Sequence, residues 1–286
     1  MTTYKDTKFS SFCINVQQKN ITFFQPAILG ILNITPDSFY DGGRYTHEAA
    51  IIKRAHEIID QGADIIDIGA VSSRPGATLL APEMERDILV PAIKSIRAEL
   101  PHAILSVDTC YSLPAEAAVN AGADIINDIS GGQFDSQMFP TIARLQVPYI
   151  LMHTQGTPDT MQQNAHYNDI IHDLILYFSQ KLETLYKLGV KDIILDPGFG
   201  FAKTTAQNYE LLNRLSELSQ IFPQPILAAL SRKSMIYKPL NITPQEALNG
   251  TTALNTVALL NGARLLRVHD IPEARQTIKI IENLKQ

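Results

Sequence analysis

A repeated order of glycine, apolar run and polar residue is the feature of this sequence that most restricts its fold. It occurs four times, 60 to 73 residues apart, beginning at Gly62, Gly122, Gly189 and Gly262. The segment before each glycine has the spacing of an amphipathic helix, so we expect the glycine to adopt the left-handed conformation that ends a helix. The run after each glycine is short and rich in Ile, Leu and Val, which is typical of a parallel strand covered on both faces.

Further apolar runs lie between these copies and complete a regular alternation. They are AILGILN, AILSVDT, VPYILMH and PILAALS. Helical patterns separate the strands at 46–61, 82–99, 112–121, 136–145, 166–188, 205–220, 244–261 and 271–284. Eight strands in alternation with eight helices predict an α/β fold, and they favour a closed (β/α)8 barrel, the TIM barrel, over an open doubly wound sheet.

The first 26 residues lie outside this alternation. Within them, FCINV and ITFF are predicted to form a small β-hairpin that caps the N-terminal end of the barrel. Residues 27–286 are assigned to a single barrel domain, because barrels of about 250 residues fold as one unit.

Charge and cysteine content argue against several classes of protein. The net charge of −5 disfavours nucleic acid or a membrane surface as the main partner. Cys13 and Cys110 are the only cysteines, too few for a disulfide framework in a chain of this length. No apolar run approaches the ~20 residues of a membrane span, and the initial MTTYKDTKFSS contains no apolar signal core. We therefore expect a soluble, cytoplasmic protein.

Polar residues stand at the predicted C-terminal ends of the strands, where barrels of this type carry their sites. A single Asp or Asn there often caps the next helix, and Asp67 fits a cap and a site residue equally well. His153 is interpreted as a satisfied structural histidine, and Cys110 as a filler near the rim. Several buried polar groups at one end of a barrel must satisfy one another or a ligand, because each costs a few kcal/mol when unpaired. The residues concerned are Asn33, Asp67, Asp108, Asn127, His153, Asp196, Ser231, Arg267 and His269.

The residue types suggest what such a ligand is. Asp108, Asn127, Asp196 and Lys233 offer donors and acceptors that suit a flat heterocycle with several ring nitrogens. Arg267 and His269, two positions apart on one face of a strand, suit a diphosphate better than a surface salt bridge, and Arg74 offers further charge.

Two motifs of other enzyme classes are excluded. DPGFGFAKT is not a phosphate-binding P-loop, because Pro197 and Ala202 stand where that loop needs glycine. The sequence has no Ser-His-Asp or Cys-His nucleophile signature, and its seven histidines show no metal-binding spacing.

Eight segments together resemble the dihydropteroate synthase family, the pterin-binding barrel enzymes of folate biosynthesis. They are ILNITPDSFYDGG, DIGAVSSRPGA, SVDT, INDISGG, LMHTQGTPDTMQ, DPGFGFAK, SRKSMI and RVHD, in family order from about residue 27 to the end. The resemblance implies a transferase that joins 6-hydroxymethyl-7,8-dihydropterin diphosphate to p-aminobenzoate with the help of Mg²⁺. It also implies small-molecule substrates and a homodimer formed through the late helices.

Carried over by position, the resemblance implies a role for each matching residue. The pterin contacts fall on Asp108, Asn127, Asp196 and Lys233, and the diphosphate contacts on Arg74, Arg267 and His269. The p-aminobenzoate pocket falls on Ser73, Pro75, Phe201, Lys233 and Ser234, and the Mg²⁺ ligand on Asn33. Asp108, Lys233, Arg267 and His269 form the expected catalytic group, and loops 34–45 and 70–80 are expected to close over it.

The sequence departs from the family pattern at a few positions. Ala70, Val71, Ser72 and Ser73 replace the usual Gly-Glu-Ser-Thr, and Ala202 replaces a frequent glycine. A methyltetrahydrofolate:corrinoid-type methyltransferase and a non-catalytic pterin-binding protein remain as alternatives. The first has no use for SRKS or for the Arg267 and His269 pair.

Overall fold

The computed structural model describes residues 9–34, 44–70, 79–156 and 165–284, with the backbone alone at 44–47. Its centre is a closed barrel of eight parallel strands, each paired with the next along the chain and the last paired with the first. The predicted (β/α)8 barrel is therefore confirmed. The strands are β3 Ala27–Asn33, β4 Ile65–Gly69, β5 Ile104–Asp108, β6 Ile125–Asp128, β7 Tyr149–Met152, β8 Ile193–Asp196, β9 Ile226–Ala228 and β10 Ala263–Val268.

Helices cover the outside of the barrel and pack their apolar faces on the strands. They are α1 Arg44–Asp60, α2 Pro82–Glu99, α3 Ser112–Ala121, α4 Met138–Leu145, α5 Ile170–Lys187, α6 Thr205–Asn213, α7 Leu215–Ile221, α8 Ser234–Leu240, α9 Leu248–Leu260 and α10 Ile271–Leu284. Among the described helices, none combines the length and apolarity needed to cross a lipid bilayer.

The predicted helices need correction at three places. The helix predicted at 205–220 is divided into α6 and α7, because the backbone leaves the helical region at Arg214 with φ −100° and ψ 11°. The prediction also missed α8, a seven-residue helix that buries only Met235 and Ile236 and is too short to give a clear period. The helix predicted at 244–261 starts with a 3₁₀ turn at Pro244–Glu246 before α9 begins.

The glycines that define the repeat have the predicted backbone conformation. Gly62, Gly122, Gly189 and Gly262 have φ of +97°, +117°, +86° and +100°. At Gly122 this left-handed conformation caps α3, and its N–H bonds to the carbonyls of Ala118 and Val119. Glycine adopts such φ values without the steric cost that a Cβ brings, so each one ends a helix and turns the chain into the next strand.

The N-terminal hairpin closes one end of the barrel. β1 (Phe12–Val16) pairs with β2 (Lys19–Phe23) in antiparallel register. Ile14 and Val16 pack into the apolar layer inside the barrel that includes Leu29, Ile65, Ile125 and Leu265. This layer lies at the N-terminal ends of the strands, so the predicted cap is confirmed. The polar residues at the C-terminal ends are left to form the opposite mouth.

Candidate active site

A cavity of about 530 Å³ lies at the C-terminal mouth of the barrel. It contains both polar groups and apolar surface, and Ile31, Ile129, Met152 and Ala229 provide part of the latter. Such a mixture suits a flat ligand with a few hydrogen-bonding groups at its edge. The predicted site residues that line it are Asn33, Asn127, Asp196, Phe201, Lys233, Ser234, Arg267 and His269.

Not every predicted site residue lines this cavity. Asp108 lines a small adjoining cavity together with Thr109 and Glu85, and it reaches the main site through a bond from Arg267. Ser73, Arg74 and Pro75 lie outside the described residues, as do most of the two loops predicted to close over the site.

Arg267 connects two carboxylates inside the barrel. Its Nε donates to Asp67 Oδ2 at 2.6 Å, and its Nη2 donates to Asp108 Oδ2 at 2.7 Å. Asp67 is completely buried and also accepts from Asn127 Nδ2 at 3.2 Å. The sequence left Asp67 between a cap and a site residue; the structure shows that it lines neither cavity but bonds to Arg267 and Asn127, which line the main one. Its signal was present in the strand period, which puts it on the same face of β4 as the barrel interior.

Burial and charge set the protonation of this group. Loss of solvent raises the pKa of Asp108 to about 7, although the Arg267 guanidinium pulls that pKa downward. Burial acts to lower the pKa of Arg267, but the Asp67 and Asp108 carboxylates hold it above its ordinary value. A cationic ligand or an N–H donor beside Asp108 favours its carboxylate form.

Asp196 and Lys233 form a second polar group in the cavity wall, besides the one around Arg267. Burial raises the pKa of Asp196, and Lys233 opposes that rise. Asp196 Oδ1 accepts from Gly198 N at 2.7 Å, which fixes the carboxylate at the end of β8. Lys233 Nζ donates to the carbonyl of Phe199 and lies 4.8 Å from the centroid of the Phe201 ring. Burial lowers the pKa of Lys233 to about 8, so this ammonium group remains largely charged at neutral pH.

His269 and Ser231 meet at the mouth just beyond β10. His269 Nδ1 lies 3.0 Å from Ser231 Oγ, and the backbone N–H of His269 also donates to that oxygen at 3.3 Å. The contact with Ser231 orients the imidazole ring of His269. Both His269 and Arg267 line the cavity, although His269 follows β10, which ends at Val268, and so does not share a strand face with Arg267 as the sequence predicted.

The described residues contain no group of three or more His, Cys, Asp and Glu side chains able to hold a metal ion. Asn33 ends β3, lines the cavity and is exposed, so its amide oxygen is available to a ligand. Mg²⁺ binds hard oxygen donors and commonly takes one or two protein ligands with substrate phosphates and water. Asn33 beside a bound diphosphate fits that preference.

Two residues predicted to be structural have structural surroundings. His153 is buried, stacks edge-on against Tyr177 with ring centroids 4.7 Å apart, and contacts Lys203 through Nδ1 at 3.1 Å. Cys110 is buried in an apolar cluster with Ile129 and Met152. Burial raises the pKa of the Cys110 thiol, so it is not a reactive thiolate.

The fold and the site together define a (β/α)8 barrel whose mouth holds a cavity suited to a flat ligand with a polar edge. The family described as pterin-binding enzymes matches residues 29–269. The dihydropteroate synthase of Synechocystis is 42% identical over 260 residues, covering 90% of this chain and 89% of that protein. The enzyme of the same name from Escherichia coli is 37% identical, covering 93% of this chain and 94% of that protein. The chain belongs to the dihydropteroate synthases, which are transferases of folate biosynthesis.

Solved structures agree in fold over nearly the whole chain. Yersinia pestis dihydropteroate synthase, determined as a sulfonamide drug complex, has a TM-score of 0.88 and 36% identity, covering 96% of this chain and 99% of that one. The Xanthomonas albilineans enzyme with 4-aminobenzoic acid has a TM-score of 0.87 and 33% identity, with the same coverage.

Proposed function

We propose that the cavity at the mouth of the barrel joins 6-hydroxymethyl-7,8-dihydropterin diphosphate to p-aminobenzoate, giving 7,8-dihydropteroate and diphosphate. The observation that carries this assignment is the convergence of Asp108, Asn127, Asp196, Lys233 and Arg267 at one end of the barrel. These groups supply both donors and acceptors around a space large enough for two ring systems. The corrinoid-type methyltransferase and the non-catalytic protein are less well supported, since SRKS and the Arg267 and His269 pair are all present at the cavity.

The deep, buried polar groups hold the pterin. Asp196 and Asn127 face its amino-pyrimidine edge, where a carboxylate accepts from N–H groups and an amide can both donate and accept. Asp108 carries negative charge toward the ring that becomes cationic during the reaction. Lys233 lies across the cavity and donates to a ring heteroatom.

The outer part of the cavity holds p-aminobenzoate. Phe201 offers a ring face, Ser234 offers a hydroxyl and the start of a helix, and Lys233 offers a positive charge for the carboxylate. The family resemblance assigns Ser73 and Pro75 to the same pocket. The bound 4-aminobenzoic acid in the Xanthomonas albilineans relative supports a p-aminobenzoate pocket in a protein of this family.

The chemistry is a substitution at the CH₂ group on the pterin. The bond between that carbon and the diphosphate oxygen breaks, and its electron pair leaves with diphosphate. The amine nitrogen of p-aminobenzoate forms the new C–N bond and then loses one proton to solvent. Arg267, His269 and Arg74 stabilise the negative charge that develops on the leaving group. Because an aromatic amine is weakly basic and already unprotonated, positioning and electrostatics account for most of the rate.

Asn33 is the residue that would hold Mg²⁺, and the ion would offset the negative charge that develops on the leaving diphosphate. Asn33 lies at the cavity mouth, on the side of the barrel next to Arg267, because β3 pairs directly with β10. This arrangement places the metal ligand and the guanidinium near the same end of the substrate.

Three further predictions belong to the same proposal. Exposed apolar side chains on the last two helices, Val257 and Leu260 on α9 and Ile280 and Leu284 on α10, support a homodimer formed there. Sedimentation at micromolar concentration tests it, and a monomeric mass contradicts it.

The division into an N-terminal extension, 1–26, and a barrel domain, 27–286, and the cytoplasmic location both stay predictions.

The decisive experiment combines the purified protein with the pterin diphosphate, p-aminobenzoate and Mg²⁺. We expect diphosphate and dihydropteroate to appear in equal amounts, and diphosphate release to stop when p-aminobenzoate is left out. Absence of both products contradicts the proposed function. A rate that is unchanged by a chelator contradicts the metal role alone, and methyl transfer from methyltetrahydrofolate to a corrinoid supports the alternative enzyme.

A further inference from the structure

Lys203 is a buried lysine that the proposed mechanism does not use. It is 3% exposed, and its Nζ lies at hydrogen-bond distance from three groups. It donates to the carbonyls of Gly198 at 3.0 Å and Phe201 at 3.1 Å, and it contacts His153 Nδ1 at 3.1 Å. Burial of an amine is costly unless it is fully paired, so this arrangement calls for a reason.

The hydrogen count is complete in either protonation state of this amine. As an ammonium group, Lys203 has three N–H donors for three acceptors, namely two carbonyls and an unprotonated His153 Nδ1. As a neutral amine, it has two N–H donors for the carbonyls, and its lone pair accepts from a protonated Nδ1. Burial lowers the pKa of Lys203 to about 7, and the same bonds persist on both sides of that value. No hydrogen of this group is left for a substrate.

The bonds of Lys203 cross the segment 197–202, which connects Asp196 to the cavity wall. Gly198 and Gly200 have φ of +72° and +82°, so the chain turns sharply twice here. A Cβ on Gly198 would lie 2.0 Å from the carbonyl oxygen of His153, which shows how closely the segment packs on the end of β7. Two more side chains hold the same turn: Asn208 Oδ1 accepts from Gly200 N at 2.7 Å, and Tyr167 donates to Ala202 O at 2.9 Å.

The same segment presents two groups to Lys233. The carbonyl of Phe199 accepts from Lys233 Nζ, and the ring of Phe201 lies beneath that nitrogen. Both contacts depend on the shape of the turn, which Lys203 stabilises through its bonds to the carbonyls of Gly198 and Phe201. A change in the turn therefore moves the ammonium group and the aromatic wall of the outer pocket together. The backbone of Asp196 is held in β8 by its strand pairing, and one bond, from Gly198 N at 2.7 Å, connects its carboxylate to the turn.

We propose that Lys203, braced by His153, is a positioning residue that shapes the 197–202 turn and thereby sets Phe201 and Lys233 for p-aminobenzoate. This inference rests on the proposed function, and it assigns Lys203 a role in one of the two substrate pockets. Loss of the amine is expected to affect p-aminobenzoate more than the pterin diphosphate, because p-aminobenzoate contacts both Phe201 and Lys233, whereas the pterin contacts only Lys233 of the two.

The test replaces Lys203 with methionine and measures the KM for each substrate. Lys203→Met is expected to raise the KM for p-aminobenzoate by about tenfold, a size consistent with a small misplacement of binding groups, and to change the KM for the pterin diphosphate by less than about threefold. Lys191→Met is the matched control, because Lys191 is an exposed lysine at the opposite end of the barrel. Equal changes in both KM values, or no change in either, overturn the proposal.

A milder variant covers the case in which Lys203→Met does not fold. Tyr167→Phe removes one hydroxyl from the same turn, and we expect a rise of about two- to threefold in the p-aminobenzoate KM alone. If Lys203→Met is unfolded and Tyr167→Phe leaves that KM unchanged, the proposal is overturned. Failure of the wild-type protein to form dihydropteroate contradicts the proposed function instead, so the two failures are distinguishable.

Discussion

Asp67 and Arg267 form an ion pair of 2.6 Å inside the barrel, 200 positions apart in the chain. The carboxylate is completely buried, and the guanidinium side chain is 14% exposed. The second carboxylate on Arg267, that of Asp108, is 8% exposed. Arg267 thus places one positive charge between two buried carboxylates, and burial raises the pKa of the second, Asp108, to about 7. The pair fixes the direction in which the guanidinium faces the cavity.

Asp67→Asn is expected to lower kcat/KM by about 10²-fold, because it frees one side of Arg267 and disturbs Asn127. The free energy of unfolding is expected to fall by about 3 kcal/mol, as for a buried ion pair that loses one partner. Steady-state kinetics and urea denaturation measure the two effects.

Asp64→Asn is the control for this substitution, because Asp64 pairs with Arg275 at 2.6 Å at the far end of the barrel. It is expected to reduce stability slightly and to leave kcat/KM unchanged. Equal kinetic effects of Asp67→Asn and Asp64→Asn contradict a role for Asp67 in the site.

Lys233 is expected to make substrate binding dependent on pH. Since burial lowers the pKa of this amine to about 8, the group is charged below that pH and neutral above it. The KM for both substrates is therefore expected to rise as the pH increases from 7 to 9. In Lys233→Met the KM is higher at every pH and the rise near pH 8 disappears. A pH profile that is the same in the variant and in the wild-type protein contradicts this assignment.

Glu85 is expected to make the fold less stable at alkaline pH. It is 4% exposed in the first turn of α2, and burial raises its pKa from 4.5 to about 8. Below pH 4.5 both folded and unfolded states hold the proton, and stability is unaffected. Between pH 4.5 and 8 only the folded state keeps the proton, so the free energy of unfolding falls by about 1.4 kcal/mol for each pH unit. Above pH 8 both states have lost the proton, and the free energy of unfolding falls no further.

Glu85→Gln removes this titration, and its free energy of unfolding is expected to fall less between pH 5.5 and 8 than that of the wild-type protein. Denaturant titrations at both pH values measure the difference. Parallel pH dependences of the two proteins contradict the assignment of a neutral, buried Glu85.

Ala202 occupies a backbone position that favours glycine. Its φ is +47°, and a non-glycine residue in this region is strained by about 1–2 kcal/mol. Ala202→Gly is therefore expected to be neutral or slightly stabilising in chemical denaturation. Ala263→Gly is the comparison, because Ala263 is equally buried in β10 and has no positive φ. A stability loss of the same size in both variants contradicts strain at Ala202.

Much of the fold could be predicted from the sequence, because the features that specify helix ends and strands are local. Each repeat glycine ends a helix by its own backbone preference, and the apolar run after it can be stable only as a covered strand. The division of the 205–220 helix and the presence of α8 could not be predicted from the sequence. Each depends on a few residues, too few to show a helical hydrophobic period. Asp196, Asn127 and Lys233 could be placed at one mouth since every parallel strand ends on the same side of a barrel.

The sequence by itself determined the barrel, the closed N-terminal end and the identity of the polar strand ends, because local propensity and hydrophobic period fix these. Only the tertiary structure decided how those ends pair. Closure of the barrel brings β10 beside β3, which places Arg267 within reach of Asp67 and Asp108, and it brings Lys203 against His153. Burial, which no single residue encodes, then sets the protonation of Asp108, Lys233 and Glu85 by removing water from around their charges.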